Sequence, residues 1–157
     1  MSTLLDVDVA LNRILGSVQS APTQEHRPLL KALGCVLARD IFSSMSVPIN
    51  DNSAMDGFAV RAAEVKLDLP LAVSQRIAAG DIALPLEKNS AARIFTGAMI
   101  PDGADAVMLQ EDSLYDSAST DVVFTELAKS GQHIRPAGQD IALGQAVVGA
   151  GKRLSAA

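Results

Sequence analysis

Hydrophobic residues near the N-terminus follow the spacing of an amphipathic helix. Five aliphatic residues recur at intervals that place them on one helical face: Val7, Leu11, Ile14, Leu15 and Val18. Asp6 is a suitable N-cap, Asp8 suits the first turn, and Pro22 follows the end of the stripe. A second, short helix is predicted from about Leu30 to Arg39, and Gly34 inside it weakens that prediction.

After Phe42 the pattern changes to short β-like segments separated by turn sequences. Six segments are predicted as strands: Phe58–Val60, Leu71–Ile77, Ala91–Phe95, Ala104–Leu109, Val122–Thr125 and Gln145–Val148. Turn signals such as Asp56-Gly57 and Gly80-Asp81 lie between them. Frequent short strands favour a mainly β body over repeated βαβ units. The predicted class is therefore α+β, mainly β, with N-terminal helices.

Composition narrows the class of protein. The 157 residues are 48% hydrophobic but only 3% aromatic, so the core must be built from aliphatic side chains. A single cysteine, Cys35, excludes an internal disulfide, and its apolar neighbours favour a buried structural role. No apolar stretch approaches the ~18 residues of a transmembrane helix, and the acidic N-terminus is unlike a secretory signal. We therefore expect a soluble, cytoplasmic protein.

Charge is distributed unevenly along the chain. Residues 51–126 hold five Lys or Arg and thirteen Asp or Glu, whereas residues 127–157 carry a small positive excess. An acidic middle argues against binding to nucleic acid or to anionic membranes, so neither partner is expected. An anionic ligand would need a metal ion or bases from elsewhere. The charge step near residue 130 predicts that the acidic β section is a body of its own.

One loop has a composition that suits chemistry. Residues 51–57, just before a predicted strand, hold two carboxylates, an amide and a hydroxyl, on Asp51, Asp56, Asn52 and Ser53. Such oxygens suit Mg²⁺, which prefers oxygen ligands and keeps several waters. The same residue types also satisfy backbone donors in turns, so a purely structural loop is an equal alternative.

Two further segments are weaker candidates. Residues 93–97 form a strand-like run that ends in the hydroxyl of Thr96 followed by Gly97, where a ligand can approach the backbone closely. Residues 131–140 contain Arg135, whose guanidinium could grip a phosphate or carboxylate. An ordinary strand end and an ordinary ion pair are the alternatives. His26 and His133 lack metal-site spacing.

Taken together, these segments resemble a known family. Residues 48–60, with the sequence PINDNSAMDGFAV, closely resemble the signature of the molybdopterin molybdenumtransferases, the MoeA and gephyrin E-domain family. Residues 93–107, RIFTGAMIPDGADAV, are similar to the second block of that family, and residues 131–141 are similar to its third. The three blocks occur in the family's order and the resemblance covers nearly the whole chain.

The resemblance implies a fold and a reaction. The fold is a coiled, bifurcated β-sheet region in which residues 46–130 form a β subdomain inserted into a discontinuous subdomain of residues 1–45 and 131–157. The reaction inserts molybdate into adenylylated molybdopterin and releases AMP, with Mg²⁺ or a similar divalent ion. Asp56 and Thr96 match functional positions of the family, and Asp56 is also the candidate Mg²⁺ ligand.

The remaining candidate residues lie in the same three blocks. We expect these seven to bind substrate or cofactor: Asp51, Asn52, Ser53, Gly57, Gly97, Arg135 and Asp140.

The family implies a homodimer, whose active cleft lies between the β subdomain of one protomer and a nucleotide-handling domain of the other. Proteins of the molybdopterin adenylyltransferase type are expected partners. Because that nucleotide-handling domain is not in these 157 residues, we expect the isolated chain to be inactive and at most weakly dimeric. The alternative function is a non-catalytic module for dimerisation or for docking other proteins of the pathway.

Overall fold

The computed structural model describes residues 5–18, 22–115, 118 and 120–156. The chain divides into two compact units, one of residues 1–40 with 149–157 and one of residues 41–148. The sequence places the two subdomain boundaries elsewhere, near residues 45 and 130. That subdomain assignment stays a prediction.

The first unit contains the predicted N-terminal helix. Helix α1 spans Val7–Gly16, and the Asp6 carboxylate caps it by accepting a hydrogen bond from the Asp8 N–H at 2.9 Å. Its aliphatic stripe is exposed, with Val7 at 78% and Ile14 at 65%. The cap and stripe confirm this element, and no helix in the described residues is long and apolar enough to cross a membrane.

The predicted second helix is wrong. A 3-10 turn over Leu29–Lys31 replaces it, and the chain then becomes extended. Gly34 adopts a φ of +79°, and its N–H donates to the carbonyl of Leu154 at 2.9 Å. Val36 forms an antiparallel bridge with Arg153. Backbone pairing with a segment more than a hundred residues away overrides the local helical pattern.

The Cys35 side chain is only half-buried, and the sequence-based expectation of a buried cysteine is corrected to that extent. Its sulfur accepts a contact from Arg27 Nη1 at 3.5 Å.

Within its described residues the second unit holds ten strands. In chain order they are β1 Ile41–Phe42, β2 Asn52–Ser53, β3 Gly57–Val60, β4 Pro70–Ile77, β5 Ser90–Ile94, β6 Ala106–Leu109, β7 Ser113–Leu114, β8 Asp121–Phe124, β9 Ile134–Arg135 and β10 Ala146–Val148. A six-stranded sheet has the order β6-β3-β5-β4-β8-β7, and β1 pairs with β10 and β2 with β9. All these pairs are antiparallel except β4 with β5.

All six predicted strands are present, with ends displaced by one or two residues. Strand β3 is buried on both faces of the sheet, because its alternate residues belong to different clusters. Phe58 and Val60 pack with Met108 and Phe124, whereas Ala59 lies in a second cluster with Ile94. The predicted class, mainly β within α+β, is confirmed, with one α-helix in the described residues in place of the predicted pair.

Candidate functional site

The pairing of β3 with β5 brings two candidate residues together across the sheet. The strands are antiparallel, with Gly57 opposite Ile94 and Phe58 opposite Arg93. Asp56 immediately precedes β3 and Thr96 lies two residues after β5, so both lie at the same end of the sheet. Asp56 Oδ1 accepts hydrogen bonds from the Thr96 N–H at 2.8 Å and from the Thr96 hydroxyl at 2.7 Å.

These two bonds stabilise the ionised form of the carboxylate. The backbone N–H of Thr96, then its hydroxyl, and to a smaller extent the nearby Arg93 charge lower the pKa of Asp56 below the ordinary value, while slight desolvation opposes them. Asp56 is therefore ionised at neutral pH. Among the described residues no hydrogen bond is found to its second oxygen, Oδ2, which leaves that atom for an external partner.

Arg93 fixes the backbone around Asp56. Its Nη1 donates to the Gly57 carbonyl at 3.1 Å and its Nη2 to Gln110 Oε1 at 2.6 Å. The Gln110 N–H in turn donates to the Asp56 carbonyl at 3.2 Å. Because this chain of bonds joins β3, β5 and the turn after β6, the position of Asp56 is determined by three segments at once.

The three sequence blocks converge around β2. Asn52 is opposite Arg135 in the β2–β9 pair and bridges to Met99 on its other side. Ser53 N–H donates to the Ala98 carbonyl at 2.9 Å, and its own carbonyl accepts from Gly97 N–H at 2.8 Å. Residues that are far apart in the sequence thus form one local structure, which is held together by hydrogen bonds among its own residues.

Four of the other candidates make side-chain contacts within the chain. The Ser53 side chain is buried and donates to the Met55 carbonyl at 2.6 Å. Asp51 Oδ1 accepts from the Ala137 N–H at 2.8 Å. Arg135 and Asp140 form an ion pair at 2.7 Å with both side chains about half exposed. Because these side chains already have partners within the chain, their contacts are compatible with a purely structural role as well as with a role in binding a ligand.

Gly57 and Gly97 are required for different reasons. A Cβ at Gly57 would lie 1.8 Å from the Met108 carbonyl oxygen, so the glycine allows β3 to pack beside β6. A Cβ at Gly97 would make only an ordinary contact with Ala79 Cβ at 3.8 Å, but Gly97 has a φ of +82°, which residues with a side chain rarely adopt. The first is a packing requirement inside the sheet and the second a turn requirement at the surface.

A cleft of about 280 Å³ lies beside this structure. Six of the residues that line it are Asp51, Asn52, Gly97, Met99, Gly80 and Asp81. Asn52 Oδ1 is buried and has no hydrogen-bond partner within the described chain. Asp56 and Thr96 do not line this cleft, so the candidate binding residues and the Asp56–Thr96 pair occupy neighbouring places rather than one cavity.

Comparison with known proteins shows the family of this chain. The MoeA N-terminal region (domain I and II) matches residues 5–157. The chain belongs to this MoeA family. It is 38% identical over 156 residues to the molybdopterin molybdenumtransferase of Haemophilus influenzae, covering 97% of this chain and 38% of that protein. It is 40% identical over 127 residues to molybdopterin molybdenumtransferase 2 of Mycobacterium tuberculosis, covering 77% and 31%.

Solved structures give the same family. Two structures of the molybdopterin biosynthesis MoeA protein from Pyrococcus horikoshii superpose on this chain with TM-scores of 0.84 and 0.87, at 33% and 30% identity. Both cover 98% of this chain, which spans 40% and 42% of theirs. The MoeA-family chain thus corresponds to about two-fifths of the length of these relatives.

The donor set of this MoeA-family chain fits Mg²⁺ only in part. No group of three or more His, Cys, Asp or Glu side chains able to hold a metal occurs within the described ranges. Asp56 offers one carboxylate oxygen, because Thr96 occupies the other. Mg²⁺ usually takes one or two carboxylates together with waters and substrate phosphates, and Asp56 Oδ2 suits that mode.

Sequence reasoning missed Arg76 and Phe95. Arg76 lies in β4 among the exposed residues of an alternating strand, where a charged side chain needs no explanation. Its guanidinium lies 4.5 Å from the centroid of the Phe95 ring, and that of Arg93 lies 4.8 Å from it. The parallel pairing of β4 with β5 creates this contact, and no local sequence motif predicts it.

Proposed function

We propose that this chain forms part of the site at which molybdate is inserted into adenylylated molybdopterin with release of AMP. The observation that carries the proposal is the Asp56–Thr96 pair. It joins two of the three family blocks, holds a carboxylate ionised, and leaves one oxygen of that carboxylate available.

Each residue has a defined role in this proposal. Asp56 Oδ2 holds a water or Mg²⁺ next to the substrate, and the fixed Oδ1 keeps that oxygen in place. Thr96 donates its hydroxyl proton to Asp56, so its oxygen can only accept a hydrogen bond from the substrate or a water. Bound Mg²⁺ would supply neutralisation of phosphate charge at the leaving AMP.

In this proposal, groups outside these 157 residues supply the rest of the site. The chain spans about two-fifths of the relatives it matches, and its acidic second unit is a poor container for a polyanionic substrate by itself. A homodimer with an intersubunit cleft would supply the missing cationic groups. A molybdopterin adenylyltransferase-type protein is the proposed donor of the adenylylated substrate.

The test uses a chimaera in which this chain replaces the matching 38% of the Haemophilus influenzae relative. Molybdate-dependent AMP release is measured for the chimaera and for its Asp56→Asn variant. We expect Asp56→Asn to lower turnover by ~10²-fold or more, because an amide lacks the charge that holds a divalent ion or orients a water. Thermal unfolding is followed on the same samples.

Asp51→Asn is the matched control. Asp51 is in the same loop and also has one oxygen bound to a backbone N–H, so the chemical change is the same in a similar setting. We expect a much smaller loss of turnover there. Near-normal turnover of Asp56→Asn, or equal losses in both variants, would remove the proposed role of Asp56.

A dimerisation or docking module is the second candidate function. The exposed aliphatic stripe of α1 favours it, since that helix has no buried residue in the chain. Sedimentation over a wide range of concentration tests it. We expect a monomer or a weak dimer for the 157 residues, and a dimer that persists at nanomolar protein would favour the module over our expectation.

A further inference from the structure

Two arginines lie directly opposite each other in the centre of the large sheet. The register of the parallel pair β4–β5 places Arg76 beside Arg93. Their guanidinium carbons lie 4.5 Å and 4.8 Å from the centroid of the same Phe95 ring, and Arg93 is also 5.0 Å from the Phe58 ring. Both guanidinium groups therefore pack against the same aromatic ring.

Neither arginine forms an ion pair in the described part of the chain. The ion pairs found within the described ranges are Arg27–Glu25, Arg61–Glu64 and Arg135–Asp140. The absence is unexpected because residues 51–126 contain thirteen acids and only five bases. Like charges placed opposite each other on paired strands destabilise a sheet. Arg93 has the charge of Asp56 nearby, whereas Arg76 forms no ion pair within the described residues.

The pair lies next to the Asp56–Thr96 pair. Phe95 directly precedes Thr96, and the register of β3 with β5 continues by one step to place Asp56 beside Phe95. Arg93 is oriented by two of its N–H groups, which bind the Gly57 carbonyl and Gln110. Arg76 makes no hydrogen bond in the described part of the chain, so its donors face outward.

We propose that Arg76 and Arg93 form the anion-holding part of the Asp56–Thr96 site and bind a tetrahedral oxyanion of the phosphate class. The inference deepens the proposed function and rests on it, because phosphate groups and molybdate share this chemistry. Guanidinium groups bind such oxyanions through paired charge-assisted hydrogen bonds. The acidic unit would then supply its own positive site at the one place where the reaction needs it.

Anion binding by the 157-residue chain tests the inference directly. Inorganic phosphate and molybdate are titrated separately at millimolar concentrations, with amide NMR shifts as the measurement. We expect shifts at residues 93–96 and near Arg76, and a Kd for the bound anion about tenfold higher in Arg76→Gln, because a charged hydrogen-bond donor is lost. Whichever anion binds more tightly identifies the source, a phosphate ester or the metal oxyanion.

Lys66→Gln is the matched control, since it removes one exposed positive charge before the opposite end of β4. It should leave the Kd unchanged. Equal Kd values in wild type and Arg76→Gln, equal weakening in both variants, or no binding of either anion would each overturn the inference. Because Arg93 also holds the backbone, Arg93→Lys is used in place of a neutral variant, with an expected loss of several-fold.

Failure of this inference is distinguishable from failure of the proposed function. Loss of anion binding in Arg76→Gln with normal turnover of the Asp56→Asn chimaera would keep the anion site and reject the function. Unchanged anion binding in Arg76→Gln with lost turnover in Asp56→Asn would reject the anion site and keep the proposed function.

Discussion

Arginine side chains at the two ends of the large sheet have different kinds of partner. At the end where β3 finishes, Arg61 donates from Nη1 to both oxygens of Glu64, at 3.2 Å and 3.1 Å, and to the Glu87 carbonyl at 3.0 Å. Its Nη2 donates to the Leu86 carbonyl at 2.6 Å. Glu64 also accepts from the Asn89 N–H at 2.7 Å. Charge and hydrogen bonds are both satisfied within the chain.

At the end where β3 begins, neither arginine forms an ion pair within the described residues. Arg93 binds a carbonyl and an amide, Arg76 packs on an aromatic ring, and Asp56 keeps one oxygen free. A closed set of partners is what a structural charge requires, because an unpaired group costs stability. The first end is closed by contacts within the chain, whereas the second end is the one that we propose binds a partner from outside.

Removing Arg61 should have the largest effect on stability. Arg61→Gln deletes charge-assisted hydrogen bonds to Glu64 and to two carbonyls, so we expect the free energy of unfolding to fall by about 2–3 kcal/mol. Urea unfolding measures it. Lys66→Gln should change that free energy by less than about 0.5 kcal/mol. A loss below about 1 kcal/mol for Arg61→Gln would mean that the closed end does not stabilise the fold.

Removing the Thr96 hydroxyl should affect the open end chemically rather than structurally. Thr96→Val keeps the backbone N–H bond but deletes the hydroxyl donor, so the pKa of Asp56 rises toward its ordinary value. Carboxyl ¹³C NMR titration measures it, and turnover of the chimaera should fall about tenfold. Thr125→Val is the control, because the Thr125 hydroxyl binds the Asp112 carbonyl elsewhere. An unchanged pKa in Thr96→Val would contradict the hydrogen-bond cause.

Acid should weaken the open end in a defined direction. The folded pKa of Asp56 lies below that of an unfolded aspartate, so its contribution to stability is complete above the unfolded pKa. That contribution is lost as pH falls through the lower, folded pKa. The difference in Tm between wild type and Asp56→Asn should therefore be larger at neutral pH than in strong acid. A difference that grows on acidification would refute the direction of the shift.

Neutralising Arg76 should have the smallest effect on stability. Arg76→Gln removes one of two like charges opposite each other, so we expect the free energy of unfolding to stay constant or rise by up to about 0.5 kcal/mol in phosphate-free buffer. Urea unfolding decides. A loss above about 1 kcal/mol would show that the stacking of Arg76 on Phe95 stabilises the fold, as Arg61 does at the other end.

Local sequence patterns predicted part of the site and misled in one place. The loop at residues 51–57 was a candidate because two carboxylates, an amide and a hydroxyl fall within seven residues, and Thr96 because its hydroxyl ends a strand-like run next to Gly97. Arg76 could not be identified from the sequence, because an exposed arginine is common in an alternating strand. Only the strand register shows that it lies beside Arg93. The predicted helix over Leu30–Arg39 failed because Gly34 takes a left-handed conformation and its neighbours pair with residues 152–154.

The sequence by itself determined the elements that depend on near neighbours. Helix α1 follows from a stripe and a cap a few residues apart, and the six strands follow from alternation and turn residues. Only the tertiary structure decided which ends of which strands meet. Asp56 contacts Thr96, which lies forty residues further along the chain, and Arg76 lies opposite Arg93. Both arrangements depend on strand order and register, because no local sequence pattern relates the segments that they bring together.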